Sequence, residues 1–115
     1  MNESQTPLTT AMFNVLLALS DGDKHGYAIL KDVEAQTNGE VQLSTGTLYG
    51  IIKRLVNDGW IVEARRRPPA AEDDQRRRYY RLTPEGRQVA VAEAQRMEKL
   101  IERARAKRLI SLRPA

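Results

Sequence analysis

A mainly α chain with one small β-hairpin is what this sequence predicts, on three observations. The stretch Ser44-Thr45-Gly46-Thr47-Leu48-Tyr49-Gly50-Ile51-Ile52-Lys53-Arg54-Leu55 sorts its residues onto two sides of one short helix. Leu48, Ile51, Ile52 and Leu55 recur at the spacing of a buried stripe, which turns Gly46, Thr47, Gly50, Lys53, Arg54 and Asn57 outward. Two β-rich runs, Trp60 to Arg66 and Arg78 to Leu82, follow at once and enclose a loop of turn and breaker residues. From Pro84 to about Leu109 nothing interrupts a helix. Together these predict a winged helix-turn-helix over residues 1–83, followed by a long C-terminal dimerisation helix and tail over 84–115.

Taken in order, the first helix is expected over Leu8 to Leu19, with Thr6-Pro7 as cap and start and Met12, Val15, Leu16 and Leu19 buried. It ends at the Asp21-Gly22-Asp23 turn. A second helix follows from about His25 to Thr37, where Ala28, Ile29, Leu30 and Val33 give the apolar stripe. Asn38-Gly39 supplies residues that tolerate the left-handed conformation of a helix end. Val41 and Leu43 alternate about Gln42, which predicts a very short strand pairing with the hairpin, and Ser44 then caps the third helix. That helix, 44–58, stops at Asn57-Asp58-Gly59, with glycine just past the last turn.

The hairpin loop, Arg67-Pro68-Pro69-Ala70-Ala71-Glu72-Asp73-Asp74-Gln75-Arg76, is flanked by two arginine triplets, Arg65-Arg66-Arg67 and Arg76-Arg77-Arg78. A charge run is ordinarily a solvated face. Two triplets closing one hairpin beside a small, hydroxylated, basic helix face weaken that explanation. Such a face fits a nucleic-acid groove: threonine hydroxyls and helix N-terminal amides reach phosphates, while Lys53 and Arg54 offer charge or base-edge contacts. The hairpin tip would reach the neighbouring backbone or minor groove.

The last helix starts at Thr83-Pro84-Glu85, an N-cap residue, a first-turn proline and a first-turn carboxylate. Its expected extent, about 39 Å at roughly 1.5 Å per residue, exceeds what a core of this size covers. Ala90, Ala94, Met97, Ile101 and Ala104 alternate steps of four and three, with Val91 and Leu100 beside them, the spacing of an interhelical seam. The seam is alanine-rich and weak for a free-standing coiled coil, so the first helix is expected to share the interface. The alternative is a long solvated helix supported by pairs such as Glu93 with Arg96.

Composition narrows the function classes. At 115 residues and 13.0 kDa there is room for one small domain with an appended element. Cysteine is absent, which excludes disulfides and Cys-based metal sites and fits a cytoplasmic location. The apolar run Ala11 to Leu19 is too short to span a bilayer, and no Lys or Arg precedes it, so neither membrane anchor nor signal peptide is expected. The net charge of +4 is unevenly spread: residues 1–40 carry 2 basic and 6 acidic side chains, 41–83 carry 9 and 5, and 84–115 carry 8 and 4. Positive charge thus begins with the third helix, which favours phosphate binding there more than the total does.

Single residues add little chemistry. His25, the one histidine, has no carboxylate cluster at ligand spacing, so a capping or packing role is expected and no metal or other cofactor. Asp73 and Asp74 lack a partner base and a glycine-rich phosphate cradle, so no enzymatic activity is expected. Tyr79 and Tyr80 alternate on a strand, one inward and one toward the wing, and Trp60 at the strand start is expected in the core.

Four motifs in order also resemble those of the PadR family of bacterial transcriptional regulators. They are His25-Gly26-Tyr27-Ala28-Ile29, Ser44-Thr45-Gly46-Thr47-Leu48-Tyr49, Gly59-Trp60-Ile61 and Arg78-Tyr79-Tyr80-Arg81-Leu82-Thr83-Pro84-Glu85-Gly86, within a similarity spanning about residues 8 to 105. The resemblance implies a homodimeric winged-helix repressor that binds double-stranded DNA at an inverted repeat, often beside its own gene. Its one long C-terminal helix is similar to the smaller subfamily. On the matching positions it implies DNA contacts from Ser44, Thr45, Thr47, Tyr49 and Lys53, and from the wing arginines Arg65, Arg66, Arg67, Arg76, Arg77 and Arg78. It further implies pairing through the C-terminal helix, for which the seam offers Ala90, Ala94, Met97, Leu100, Ile101 and Ala104, and room for an unidentified small-molecule effector between the two long helices. One position departs: Gly50 stands where the family usually has proline, at a helix cost of about 1 kcal/mol relative to alanine. Besides the regulator, a second class remains, a winged-helix protein-interaction module whose basic hairpin meets an acidic partner. Sequence-specific binding of duplexes separates the two.

Overall fold

The computed structural model describes residues 8–64 and 78–111. Thr6, Pro7 and the arginines at 65, 66, 67, 76 and 77 lie outside them. Helix α1 runs Thr10–Ala18, and its cap is Thr9, whose hydroxyl accepts from the Met12 N–H at 3.0 Å. The helix therefore begins two residues later than Leu8, because Thr9 satisfies the first-turn amide directly. Met12, Val15, Leu16 and the C-cap residue Leu19 are all buried, as the stripe requires.

Two-residue strand β1, Lys24–His25, leads into α2, Gly26–Gln36. His25 caps that helix, Nδ1 accepting from the Ala28 N–H at 3.2 Å. At the far end Asn38 takes a left-handed φ of 54°, and the Gly39 amide donates back to the Glu34 carbonyl at 2.8 Å. Thr37 then pins the short connection: its hydroxyl donates to the Val33 carbonyl at 2.8 Å and accepts from the Val41 N–H at 3.0 Å.

Helix α3 spans Thr45–Asn57 with Ser44 as its cap, Oγ accepting from the Thr47 N–H at 3.1 Å. Leu48, Ile52 and Leu55 are buried and Ile51 packs against the same cluster. Gly59, at φ 80°, ends it. Its amide donates to the Val56 carbonyl and that of Trp60 to the Leu55 carbonyl, both at 3.0 Å, a reversal that a side chain at 59 would strain.

Strands β2, Ile61–Ala64, and β3, Tyr79–Leu82, pair antiparallel with Ile61 opposite Leu82 and Ala64 opposite Tyr79. The third strand is not at Val41 to Leu43. The free edge of β3 is taken instead by β1, Lys24 opposite Tyr80 and His25 opposite Tyr79, giving the order β1-β3-β2 among the described residues. Val41 and Leu43 alternate for a different reason: both pack partly against the core along an extended connector that leads into α3. A three-residue apolar alternation is common to both situations. Tyr80 points inward and Tyr79 is half-buried, its ring edge-on to His25 at 5.3 Å. Trp60 packs against the core, as expected.

The core thus draws on α1, α2, α3 and the sheet, its fully buried members including Val15, Leu16, Ile29, Val33, Leu48, Leu55 and Ile61. Helix α4, Pro84–Ala106, packs on it only through its first turns, where Gly86 is buried and Val89 and Ala90 touch the cluster. It stops three residues before Leu109. Arg108 turns left-handed at φ 63°, and the Leu109 amide closes onto the Ala104 carbonyl at 2.9 Å.

The start of α4 is set by close approach. Thr83 caps the helix, Oγ1 accepting from the Gly86 N–H at 2.9 Å while donating to the Gly59 carbonyl at 2.7 Å, and the Thr83 amide donates to the Trp60 carbonyl at 3.1 Å. Any side chain at position 86 would collide with that Trp60 carbonyl oxygen. Gly86→Ala is therefore expected to lower unfolding stability by about 3 kcal/mol, the upper part of the overpacking range, because backbone rather than a flexible side chain stands in the way. Urea unfolding of the two proteins checks this; a loss below about 0.5 kcal/mol, the size of an ordinary surface change, would contradict the contact.

Candidate nucleic-acid interface

With its stripe sunk in the core, α3 has one orientation, and Gly46, Thr47, Gly50, Lys53, Arg54 and Asn57 all lie exposed on its outer side. Nothing stands within 4 Å of where a Cβ would be at Gly46 or Gly50, so this face is open and the backbone is accessible along it. The surface is narrow and cationic, a shape and charge that admit a phosphate-lined groove.

The individual side chains are not equally available. The Ser44 hydroxyl is engaged as the helix cap and donates to Thr47 Oγ1 at 3.0 Å, which also orients the Thr47 hydroxyl. Thr45 is exposed at the first turn, beside the unsatisfied amides of the helix start. Lys53 is exposed and makes no ion pair among the described residues. Arg54 by contrast holds Asp58, Nε to Oδ2 3.3 Å, one helical turn on. An exposed pair of that kind is worth only some tenths of a kcal/mol, so it orients Arg54 without locking it.

Tyr49 is 46% exposed, and its ring lies across the first turn of α2: a side chain at Gly26 would collide with the Tyr49 hydroxyl. Glycine at 26 is thus what lets the phenol rest there, fixing α3 against α2. Sequence reasoning had no access to this contact, since it joins residues in different helices. The hydroxyl of Tyr80 lies in the same region; burial first, then the neighbouring Glu63 and Tyr49, push its phenol up from the ordinary tyrosine value.

From the hairpin, Arg78 is the described arginine of the two triplets. It is exposed, Nη1 3.7 Å from Glu63 Oε1 on the facing strand. Arg81, which the sequence did not single out, is a framework group: Nη2 and Nε grip Asp23 in the turn before β1, the shortest contact 2.9 Å. That grip raises the guanidinium pKa further and ties the wing strand to the α1–β1 turn.

Of the expected pairing residues on α4, Ala90 turns partly to its own core, Met97 and Ala104 are half-buried, and Ala94, Leu100 and Ile101 are exposed. Val91 is exposed beside them. Glu93 and Arg96 form the pair named under the alternative of a solvated helix, Nη2 to Oε2 2.6 Å, which holds the Glu93 carboxyl below its usual range. Among the described residues no group of His, Asp and Glu is arranged to hold a metal ion, and no helix is long and apolar enough to cross a membrane.

Comparison with known proteins places this geometry in context. The sequence model of the transcriptional regulator PadR-like family matches residues 15–92. An uncharacterized 37.1 kDa protein in transposon TN4556 of Streptomyces fradiae is 40% identical over 90 residues, 78% of this chain; the chain spans 24% of that protein's length. A transcriptional regulator from Clostridium thermocellum superposes with a TM-score of 0.68 at 28% identity, covering 86% of this chain and 92% of its own. A PadR family transcription regulator from Clostridium difficile has the same fold, with a TM-score of 0.68 at 24% identity over 89% of this chain and 100% of its own. BpsR of Bordetella bronchiseptica, whose DNA binding is regulated by 6-hydroxynicotinic acid, gives 0.65 at 25% identity over 99% of this chain and 73% of its own.

Two glycines on this surface are expected to respond unequally. Gly50→Ala meets open space and should stabilise α3 by about 1 kcal/mol, whereas Gly26→Ala has to push aside the end of the half-exposed Tyr49 side chain and should show none of that gain. Denaturant midpoints for the pair decide the matter; equal shifts of the same sign would refute the assigned surroundings.

Proposed function

The chain belongs to the PadR-like family of transcriptional regulators and is a DNA-binding regulator of winged helix-turn-helix fold; from that premise we propose that it is a homodimeric repressor acting on an inverted-repeat operator. The observation that carries this reading is the open outer face of α3, held outward by the burial of Leu48, Ile52 and Leu55. In a two-fold dimer α3 occurs twice, and the half-sites lie about one helical turn of DNA apart, roughly 34–36 Å.

On this proposal residues 1–83 bind DNA and residues 84–115 pair the subunits. Lys53 and Thr47 enter the major groove, Thr45 and the first amides of α3 meet a phosphate, and Ser44 acts chiefly by capping the helix. Tyr49 contacts the duplex with its exposed side while Gly26 supports the other. Arg54 exchanges Asp58 for a phosphate or base edge, at little cost because the pair is exposed. The arginines Arg65, Arg66, Arg67, Arg76, Arg77 and Arg78 follow the adjoining backbone. The exposed apolar row Val91, Leu100 and Ile101, with Met97, forms the subunit contact. The protein works in the cytoplasm, and an unidentified small molecule bound between the two α4 helices relieves repression. Effector control of DNA binding in BpsR supports that last element.

A footprint on the promoter region next to its own gene is expected to show a protected palindrome. Lys53→Ala or Tyr49→Ala should abolish protection while sedimentation still reports a dimer. Equal binding to all duplexes, or to none, would overturn the operator reading. Arg66→Ala and Arg77→Ala should weaken every duplex alike and flatten the log-affinity against log-salt slope by about one unit per lost phosphate contact. A change in base preference would refute that assignment.

A further inference from the structure

From the start of α3 to the end of β3 the described residues hold two acids, Asp58 and Glu63, on a surface that is otherwise neutral or basic. Each carboxylate stands beside one of the arginines assigned above to DNA. Asp58 Oδ2 lies 3.3 Å from Arg54 Nε, and Glu63 Oε1 lies 3.7 Å from Arg78 Nη1. Both pairs are open to solvent, with the arginine side chains 43% and 68% exposed, so a phosphate can reach either guanidinium.

Neither acid stands where local stability favours one. Asp58 is the C-cap residue of α3, at the helix end that carries partial negative charge, and it follows Arg54 by four residues, the less favourable order for such a pair. Glu63 lies directly opposite buried Tyr80 rather than a cation, and it reaches Arg78 only along the diagonal of the hairpin. An exposed pair of that kind holds two strands together weakly. To a guanidinium, however, a carboxylate is the same sort of partner as a phosphate, an anionic oxygen acceptor. We infer that Asp58 and Glu63 limit the affinity of this surface for DNA. In the free protein each occupies an arginine that a phosphate would otherwise take, and in the complex each leaves its own negative charge beside the duplex. The inference rests on the DNA surface proposed above and names the residues that set its strength. A charge of the wrong sign opposes every duplex alike, so the two acids govern how tightly the protein holds DNA and how easily it lets go, not which sequence it prefers.

Asp58→Asn and Glu63→Gln, singly and together in the full chain, remove the charge and keep the side-chain shape. Equilibrium titration with a mixed-sequence duplex, over a range of salt concentrations, reads the effect. Each single variant is expected to bind about two- to fivefold tighter and the double variant about tenfold, with the log-affinity against log-salt slope steeper by about one unit per acid removed. The charge-keeping variants Asp58→Glu and Glu63→Asp should stay within about twofold of the wild type. Amide variants that bind no tighter, while Arg54→Gln and Arg78→Gln weaken binding, overturn this inference alone. Equal tightening by the charge-keeping variants overturns it as well, since charge is then not the cause. Arginine variants that bind as the wild type does remove both side chains from the DNA surface and overturn that assignment and the inference together.

Discussion

One junction of backbone groups holds the working parts of this fold in register. The Trp60 amide donates to the Leu55 carbonyl at the end of α3, the Trp60 carbonyl accepts from Thr83 at the end of β3, and the Thr83 hydroxyl bridges the Gly59 carbonyl and the Gly86 amide. Gly86 is pressed onto the same Trp60 carbonyl. Within a few residues, the end of α3, both wing strands and the base of α4 are bonded to one another. Two of these four bonds join main-chain groups and two use the Thr83 hydroxyl, so the junction depends on that hydroxyl and on the missing side chain of residue 86. A buried polar group left without its partner costs about 1–3 kcal/mol, which makes such a junction hard to deform a little at a time.

Charge is arranged around that junction in a way no single count reveals. Acidic side chains predominate over residues 1–40 and basic ones from α3 onward. Several acids are spent on local structure: Asp21 on Lys24, Asp23 on Arg81, Asp58 on Arg54, Glu93 on Arg96. Among the described residues, Lys53 on the open face of α3 and Arg103, Lys107 and Arg108 at the end of α4 are in no ion pair, and neither are the acids Asp32, Glu40, Glu85, Glu98 and Glu102. A modest net charge therefore coexists with local fields strong enough to sort partners, since opposed charges more than a Debye length of about 8–10 Å apart barely cancel one another in salt.

Legibility from sequence followed the range of the interactions. The stripe of α3, the Ser44 and Thr83 caps, the Gly59 stop and the capping role of His25 are decided within a few residues, and each appears where periodicity and turn chemistry put it. The start of α1 shifted because Thr9 and Thr6 are equivalent caps until the helix is packed. The misplaced strand has the same origin. Val41 and Leu43 have the period of a strand, whereas Lys24 and His25 have none, and only the free edge of β3 makes strand of the latter. The surroundings of Gly26 and Gly86 lie beyond local reasoning altogether, because they are set by Tyr49 and Trp60, each more than twenty residues away along the chain. The exposed face of α3 was visible; which of its side chains are already engaged, Ser44 and Arg54, was not.

The stiffness of the junction bears on how the proposed dimer would be controlled. α4 leaves the core after Ala90 and runs on for several turns with exposed Val91, Leu100 and Ile101, so its base is tied to Trp60 and Thr83 while its far half is left, in that proposal, to the other subunit. A change in the crossing of two such α4 helices would be passed to α3 as a rotation of the whole hairpin and helix, because the junction resists bending. The separation of the two α3 faces would have to match the half-site spacing of the proposed operator, and an error of a few ångströms would remove contacts in one half-site or both. A ligand bound far from DNA would need only unequal affinity for the two crossings, about 1–3 kcal/mol of coupling, to move binding by one to two orders of magnitude. In such a dimer the long helix would be a ruler as well as a clasp, and its alanine-rich seam, too weak to fix one crossing outright, suits the first role better than a tightly packed one would.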